Sequence, residues 1–170
     1  RPVQVSGTET GGSLHDRLAA LGGSALLDAL ADLAAGRARA VPQAADGVTY
    51  AAKIGKAEAR IDWNQDAVSI ERQIRAFNPW PVAETHLEGE QVRVFSAHAV
   101  ADATPEPGPR SRSASQLVAP GTILAAQEDS ILVACGHGRL AVTQIQRPGR
   151  RVVSARDFAN ALPLTGRRLG

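Results

Sequence analysis

The run IERQIRAFNPWPVAETHLEG, Ile70 to Gly89, constrains this chain more than any other. Ile70, Ile74 and Phe77 share one face of a helix that Asn64 or Asp66 can cap. Pro79 disfavours helical torsions at Asn78 and Pro81 does the same at Trp80, so the chain must leave the helix extended. The spacing predicts that Trp80 is held on a stiff segment with its ring beside Phe77. Trp63, Phe77, Pro79, Trp80 and Pro81 are therefore read as structural anchors rather than base readers.

After the prolines the period changes to two. THLEGEQVRVFSAHAV carries a Glu88-Gly89 turn between alternating residues, a hairpin by pattern. GTILAAQ, SILVACG and RLAVTQIQ follow as three short apolar runs. Five strands at this spacing predict a mainly β fold, a small OB-like open barrel with flanking helices. The connection ADATPEPGPRSRSASQLVA, rich in proline, serine and arginine, is expected to be mobile. Near the end, Ser154 and Asp157 form a capping box before a short helix bearing Phe158 and Leu162, and Pro163 stops it. The final TGRRLG reads as an exposed basic terminus.

Upstream, SLHDRLAALG and SALLDALADLAAG each place leucines on one helical face, with Ser13 and Ser24 as N-caps and Gly22 and Gly36 where C-caps belong. This predicts an αα-hairpin too short to stand alone. Orphaned leucine faces and a chain without methionine lead to the expectation that these helices close a domain lying upstream. Residues 41–64 lack a period and read as a bridge tacked down by Val48, Tyr50, Ile54, Ile61 and Trp63. The expected division is residues 1–40 as terminal helices of an upstream α/β, Rossmann-like domain, 41–64 as linker and 65–170 as the barrel.

The net charge is +2, but nine of the nineteen basic residues fall in residues 101–170 against five carboxylates. That excess suits a polyanion-facing side. Lys53 and Lys56, the only lysines, and Arg60 lie in the bridge and suit phosphate contacts, against the plainer reading of solvated charges. Arg147, Arg150 and Arg151 surround the Pro148-Gly149 turn, and with Arg139 they are expected to form a basic rim. Arg72 and Arg75 read as a wet helix face, with Glu71 able to pair Arg75. Phe95 is the only aromatic in the barrel strands, which favours backbone contact to a folded RNA over base stacking. The four histidines and Cys135 have no metal-ligand spacing, so no metal is expected, and no catalytic triad is supported. A single cysteine, no export signal and no membrane-length apolar run point to a reducing, cytoplasmic setting.

In family order, SLHDRLAALG, TYAAKIGKAEARIDW, IRAFNPWPVAETHLEG, PGTIL, ILVACGHGRL and SARDFANALPLTGRRLG resemble the C-terminal half of the methionyl-tRNA formyltransferases. The resemblance spans nearly the whole chain. It implies an upstream Rossmann-like domain that uses 10-formyltetrahydrofolate and carries an Asn, His and Asp catalytic set. It also implies a C-terminal OB-like domain that helps hold initiator methionyl-tRNA. No catalytic residue carries over to this chain, which is expected to be inactive alone, to need no cofactor of its own and to be monomeric. Three positions depart from the family: His137 stands where aspartate is common, Val82 follows the second proline where glycine is common, and the connection around Pro105 to Ser115 is longer. Two alternatives stay open: the same half of a sugar-nucleotide formyltransferase, which shares both domains, and a free-standing RNA-binding or protein-interaction barrel.

Overall fold

A computed structural model describes residues 1–100, 118–127 and 129–170. The proline-serine-arginine connection around Pro105 to Ser115 lies outside the described residues. The chain runs α1 (Gly11–Ala34), a 3-10 turn (Lys56–Ala59), α2 (Ala67–Ala76), β1 (Ala83–Leu87), β2 (Glu90–Val100), β3 (Ile123–Ala126), β4 (Ile131–Ala134), β5 (Arg139–Gln146), β6 (Val153–Ser154) and α3 (Ala155–Ala161).

The strands form one antiparallel sheet in the order β1-β2-β5-β4-β3, with β6 added beside β5. This is the mainly β architecture that the short apolar runs predict, with the two-residue β6 in addition. Glu88 and Gly89 both take positive φ, 54° and 83°, between the paired Leu87 and Glu90. That is the torsion pattern of a turn whose twist matches its flanking strands. β2 shifts register around Ser96, a bulge that bends it between β1 and β5.

Alternation fills the interior. Val92 and Val94 on β2, Leu140, Val142 and Ile145 on β5 and Ile131 and Val133 on β4 are all buried. α2 lays Ile70 and Ile74 on this surface, and its start is fixed by Asp66, which accepts from the backbone N–H of Ser69 at 2.9 Å. α3 adds Phe158 to the same core, with Ser154 capping it through the N–H of Asp157 at 3.1 Å.

The sheet's free edges are covered by two segments that look like surface in the sequence. Ala59, Ile61 and Trp63 are buried, and Ile61 donates its N–H to the carbonyl of Glu84 on β1 at 2.8 Å. Of the five expected pegs, only Ile61 and Trp63 pack; Val48, Tyr50 and Ile54 are exposed. The C-terminal peptide, expected to be a solvated tail, instead links the sheet's two edges. Leu169 bridges Leu87 at the end of β1, and Arg168 bridges Thr122 just before β3. Leu164 and Leu169 are buried in the common core.

α1 also corrects an expectation. It is one continuous helix of 24 residues, not a hairpin. Gly22 and Gly23 stay helical because neither takes the positive φ that a C-cap glycine needs, and alanine and leucine on both sides sustain the helix. The N-cap is Thr10, in a reciprocal box with Ser13, rather than Ser13 itself. Gly36, at φ 67°, does sit just past the end. No residue of α1 is buried, and Leu18, Leu26, Leu27, Leu30 and Leu33 are all exposed. Its first turn docks on the end of α2 and the corner after it. Gly12 donates to the carbonyl of Asn78 at 2.9 Å, and a Cβ on Gly11 would lie 2.3 Å from the carbonyl oxygen of Ala76.

Candidate nucleic-acid interface

The Asn78-Pro79-Trp80-Pro81 run is a corner between α2 and β1. Both X–Pro bonds are cis. Asn78 donates from Nδ2 to the carbonyl of Phe95 at 3.0 Å, and Val82 returns its N–H to the carbonyl of Phe77 at 2.9 Å. Trp63 is sealed in the core with its indole N–H on the hydroxyl of Thr85 at 2.9 Å. Phe77 and Pro81 are half-buried, and Pro79 is exposed. Trp80 is not sealed in the core as an anchor would be: it is 56 % exposed.

The bridge cations sit on a fixed backbone. Lys56 opens the 3-10 turn, where Glu58 accepts the N–H of Gly55 at 2.6 Å and Gln73 of α2 donates to the carbonyls of Glu58 and Arg60 at 2.8 and 3.2 Å. Lys53, Lys56 and Arg60 are exposed, and among the described residues no carboxylate pairs with them. Arg60 lies beside Arg168 in an open groove lined also by Asp62, Asn64 and Pro120. Asp62 is held below the usual carboxylate range first by the backbone N–H of Asn64, then by the side chains of Asn64 and Gln65.

At the far side of the sheet, the turn after β5 gathers Arg147, Arg150 and Arg151. The N–H of Arg150 donates to the carbonyl of Arg147 at 3.1 Å, and Gln146 donates to the carbonyl of Arg150 at 2.7 Å. The three arginines line an open groove of about 620 Å³ with Val153, Asp157 and Phe158. Arg147 is committed to Glu90, its Nη2 at 2.6 Å and its Nε at 3.2 Å from the carboxylate. That bond holds Glu90 below the usual carboxylate range and raises Arg147. Arg150 and Arg151 are exposed and make no ion pair among the described residues.

The expected rim of four arginines is a rim of three. Arg139 opens β5 and pairs with Val100 and Ala134, whereas Arg147 follows the strand's other end. Seven residue rises, roughly 24 Å along a strand, separate Arg139 from Gln146. Arg75 is structural: it pairs with Glu71 at 3.4 Å and donates to the carbonyl of Glu9 at 3.0 Å. Arg93 and Arg168 are further exposed cations beside these grooves. Arg93 stands between the buried Val92 and Val94, so alternation alone could have placed it outside. Arg168 belongs to the TGRRLG run read as an exposed basic terminus, but its place beside Arg60 depends on a partner far away in the chain.

Burial pushes the Cys135 thiol up to about 12, so it stays protonated inside the core. Among the described residues there is no group of three or more His, Cys, Asp or Glu placed to hold a metal, and no helix is long and apolar enough to cross a membrane.

Residues 53–163 match the family described as formyl transferase, C-terminal domain. The chain is 49 % identical over 160 residues to the methionyl-tRNA formyltransferase of Xanthomonas axonopodis pv. citri, covering 94 % of this chain and 48 % of that protein. It is 46 % identical over 170 residues to that of Methylococcus capsulatus, covering 100 % and 51 %. The chain thus spans about half the length of the curated relatives it matches. Among solved structures, a variant of HypX from Aquifex aeolicus superposes with a TM-score of 0.56 at 19 % identity, over 80 % of this chain and 22 % of HypX. HypX in complex with tetrahydrofolic acid gives 0.55 over 79 % and 22 %. At that identity the likeness is one of fold.

Proposed function

From the premise that this chain belongs to the formyl transferase C-terminal domain family, we propose that it is the tRNA-docking half of a methionyl-tRNA formyltransferase. The whole protein would transfer a formyl group from 10-formyltetrahydrofolate to the amino group of methionyl initiator tRNA. The upstream domain would hold amine and formyl donor together, and this half would seat the tRNA body by charge. The exposed leucines of α1 would be covered by that upstream domain. The barrel would begin near Ala59, since Ala59, Ile61 and Trp63 pack with it, and residues 37–55 would be the linker. The protein would work in the cytoplasm as a monomer.

The observation that carries this reading is the gathering of Arg147, Arg150 and Arg151 on one open groove, in a chain matched over its whole length by half of a relative of that name. Arg150 and Arg151 stand free to meet phosphates, with Lys53 and Lys56 as further contacts from the bridge. Binding built on such contacts weakens with salt in proportion to the phosphates neutralised.

The test uses the full-length protein and initiator tRNA, with affinity measured between about 50 and 200 mM salt. Steep weakening is expected, and Arg150→Gln with Arg151→Gln should lower the slope by roughly 0.7–0.9 for each phosphate no longer neutralised. Affinity indifferent to salt would overturn the proposal. Formyl transfer to methionyl-tRNA but not to an amino-sugar nucleotide is expected of the same preparation, and the reverse preference would transfer the assignment to the sugar enzymes.

A further inference from the structure

The strand register joins the two basic clusters. Arg60 bridges Glu84, Glu84 lies opposite Arg93, and Arg93 lies opposite Gln146. These residues form one row across four adjacent backbones, roughly 14 Å long at about 4.8 Å per step. Their chain neighbours Ile61, Ala83, Val92, Val94 and Ile145 are buried, so the row faces outward. The row continues at both ends. Beyond Arg60, Arg168 lines the same groove, its Nε donating to the carbonyl of Pro120 at 3.1 Å. Beyond Gln146, Arg93 and Arg147 line one groove, and Arg147, Arg150 and Arg151 line the next.

We propose that Arg168, Arg60, Arg93 and the Arg147–Arg151 turn form one track along which an RNA sugar-phosphate backbone crosses the strands. Arg93 and Arg168 are the contacts that make two patches continuous. The inference rests on the tRNA-docking reading and specifies where the RNA lies. Guanidinium groups can grip phosphate oxygens in pairs, and a sheet face holds them with little ordering cost.

The carboxylates near the track fix the sign of a further effect. Glu90 is bound to Arg147, and Asp62 is occupied by donors from Asn64 and Gln65. Glu84, like Asp62, accepts only from neutral groups, here the amide of Gln91, and among the described residues has no cation on it; it stands between Arg60 and Arg93. It therefore opposes a polyanion on the track.

The experiment measures initiator-tRNA affinity of the full-length protein across the same salt range for four variants, with melting temperatures alongside. Arg93→Gln and Arg168→Gln should each weaken binding and lower the salt slope by roughly 0.7–0.9 at unchanged melting temperature. Glu84→Gln should tighten binding. Arg72→Gln, on an exposed position of α2 outside the row, should leave affinity within error. Wild-type slope and affinity in both arginine variants would overturn the track while the docking reading stood. Equal loss in Arg72→Gln would overturn it too, because a diffuse net-charge effect would then suffice. A wild-type protein without salt-dependent affinity would remove the docking reading itself.

Discussion

The indole N–H of Trp63 donates to the hydroxyl of Thr85 at 2.9 Å, tying the segment before α2 to β1 inside the core. Each group satisfies a polar atom that burial would otherwise strand, and Thr85 is 1 % exposed. Thr85→Val keeps the shape and removes the acceptor, so it should cost about 1–3 kcal/mol. Adding Trp63→Phe removes the orphaned donor but opens a gap. The double variant should therefore lose less than the sum of the singles. Urea denaturation of the four proteins of the cycle checks this, and strict additivity would show that the bond contributes nothing of its own.

Val82 places a β-branched side chain at φ 68°, a left-handed torsion that costs an L-residue about 1–2 kcal/mol. The side chain is also buried, which returns about 1.5–3 kcal/mol. Val82→Ala gives up burial and keeps the torsion, whereas Val82→Gly gives up burial and relieves it. The glycine variant should be at least as stable as the alanine variant, the reverse of the usual order. Thermal melts of the pair decide it.

Gly136 donates its N–H to the carbonyls of Trp63 and Gln65 at 2.8 and 3.0 Å, which brings the β4–β5 turn against the segment ahead of α2. A Cβ there would lie 1.8 Å from the carbonyl oxygen of Asn64. The backbones would have to part, so Gly136→Ala should destabilise by about 1–3 kcal/mol or more. A melting temperature equal to wild type would show that the two segments can separate at no cost.

Among the described residues acid should act through four carboxylates, the first being Glu9, held below its ordinary 4.5 first by the backbone N–H of Ser6. Glu90 is held below its ordinary 4.5 by the hydrogen bond from Arg147. Asp62 and Asp66 are held below 3.8, Asp62 first by the backbone N–H of Asn64 and Asp66 first by the hydroxyl of Ser69. A depressed folded-state value means stability that is complete above the unfolded value and lost as pH falls through the folded one. Their contribution should thus be level above about pH 5 and decline below about pH 4. Asp66→Asn keeps a capping oxygen and cannot titrate, so its melting temperature should fall less steeply below pH 4. A slope equal to that of wild type would remove Asp66 from the account.

What could be read from the sequence was what its own neighbours decide. Asp66 before Ile70 and Ile74 marks α2, and Glu88-Gly89 between alternating residues marks the hairpin. Ser154 three residues before Asp157 marks α3. What could not be read depended on distant partners. Leu169 looks like the end of a basic tail until Leu87 is placed beside it. Gly22 and Gly23 look like a break until their torsions are known. The same limit applies to the proposed interface. Arg147, Arg150 and Arg151 are close in sequence and so legible as a cluster, whereas Arg60 and Arg93 share a row only through the register of β1.

Because residues 166–169 stitch together strands made much earlier, the order of synthesis matters. While these residues are still inside the ribosomal exit tunnel, β3 and the end of β1 lack the partner that covers their borders. A stalled or prematurely terminated product would then present bare strand borders to other nascent chains, an invitation to coaggregate. Closure of the sheet therefore waits until residues 166–169 have left the tunnel.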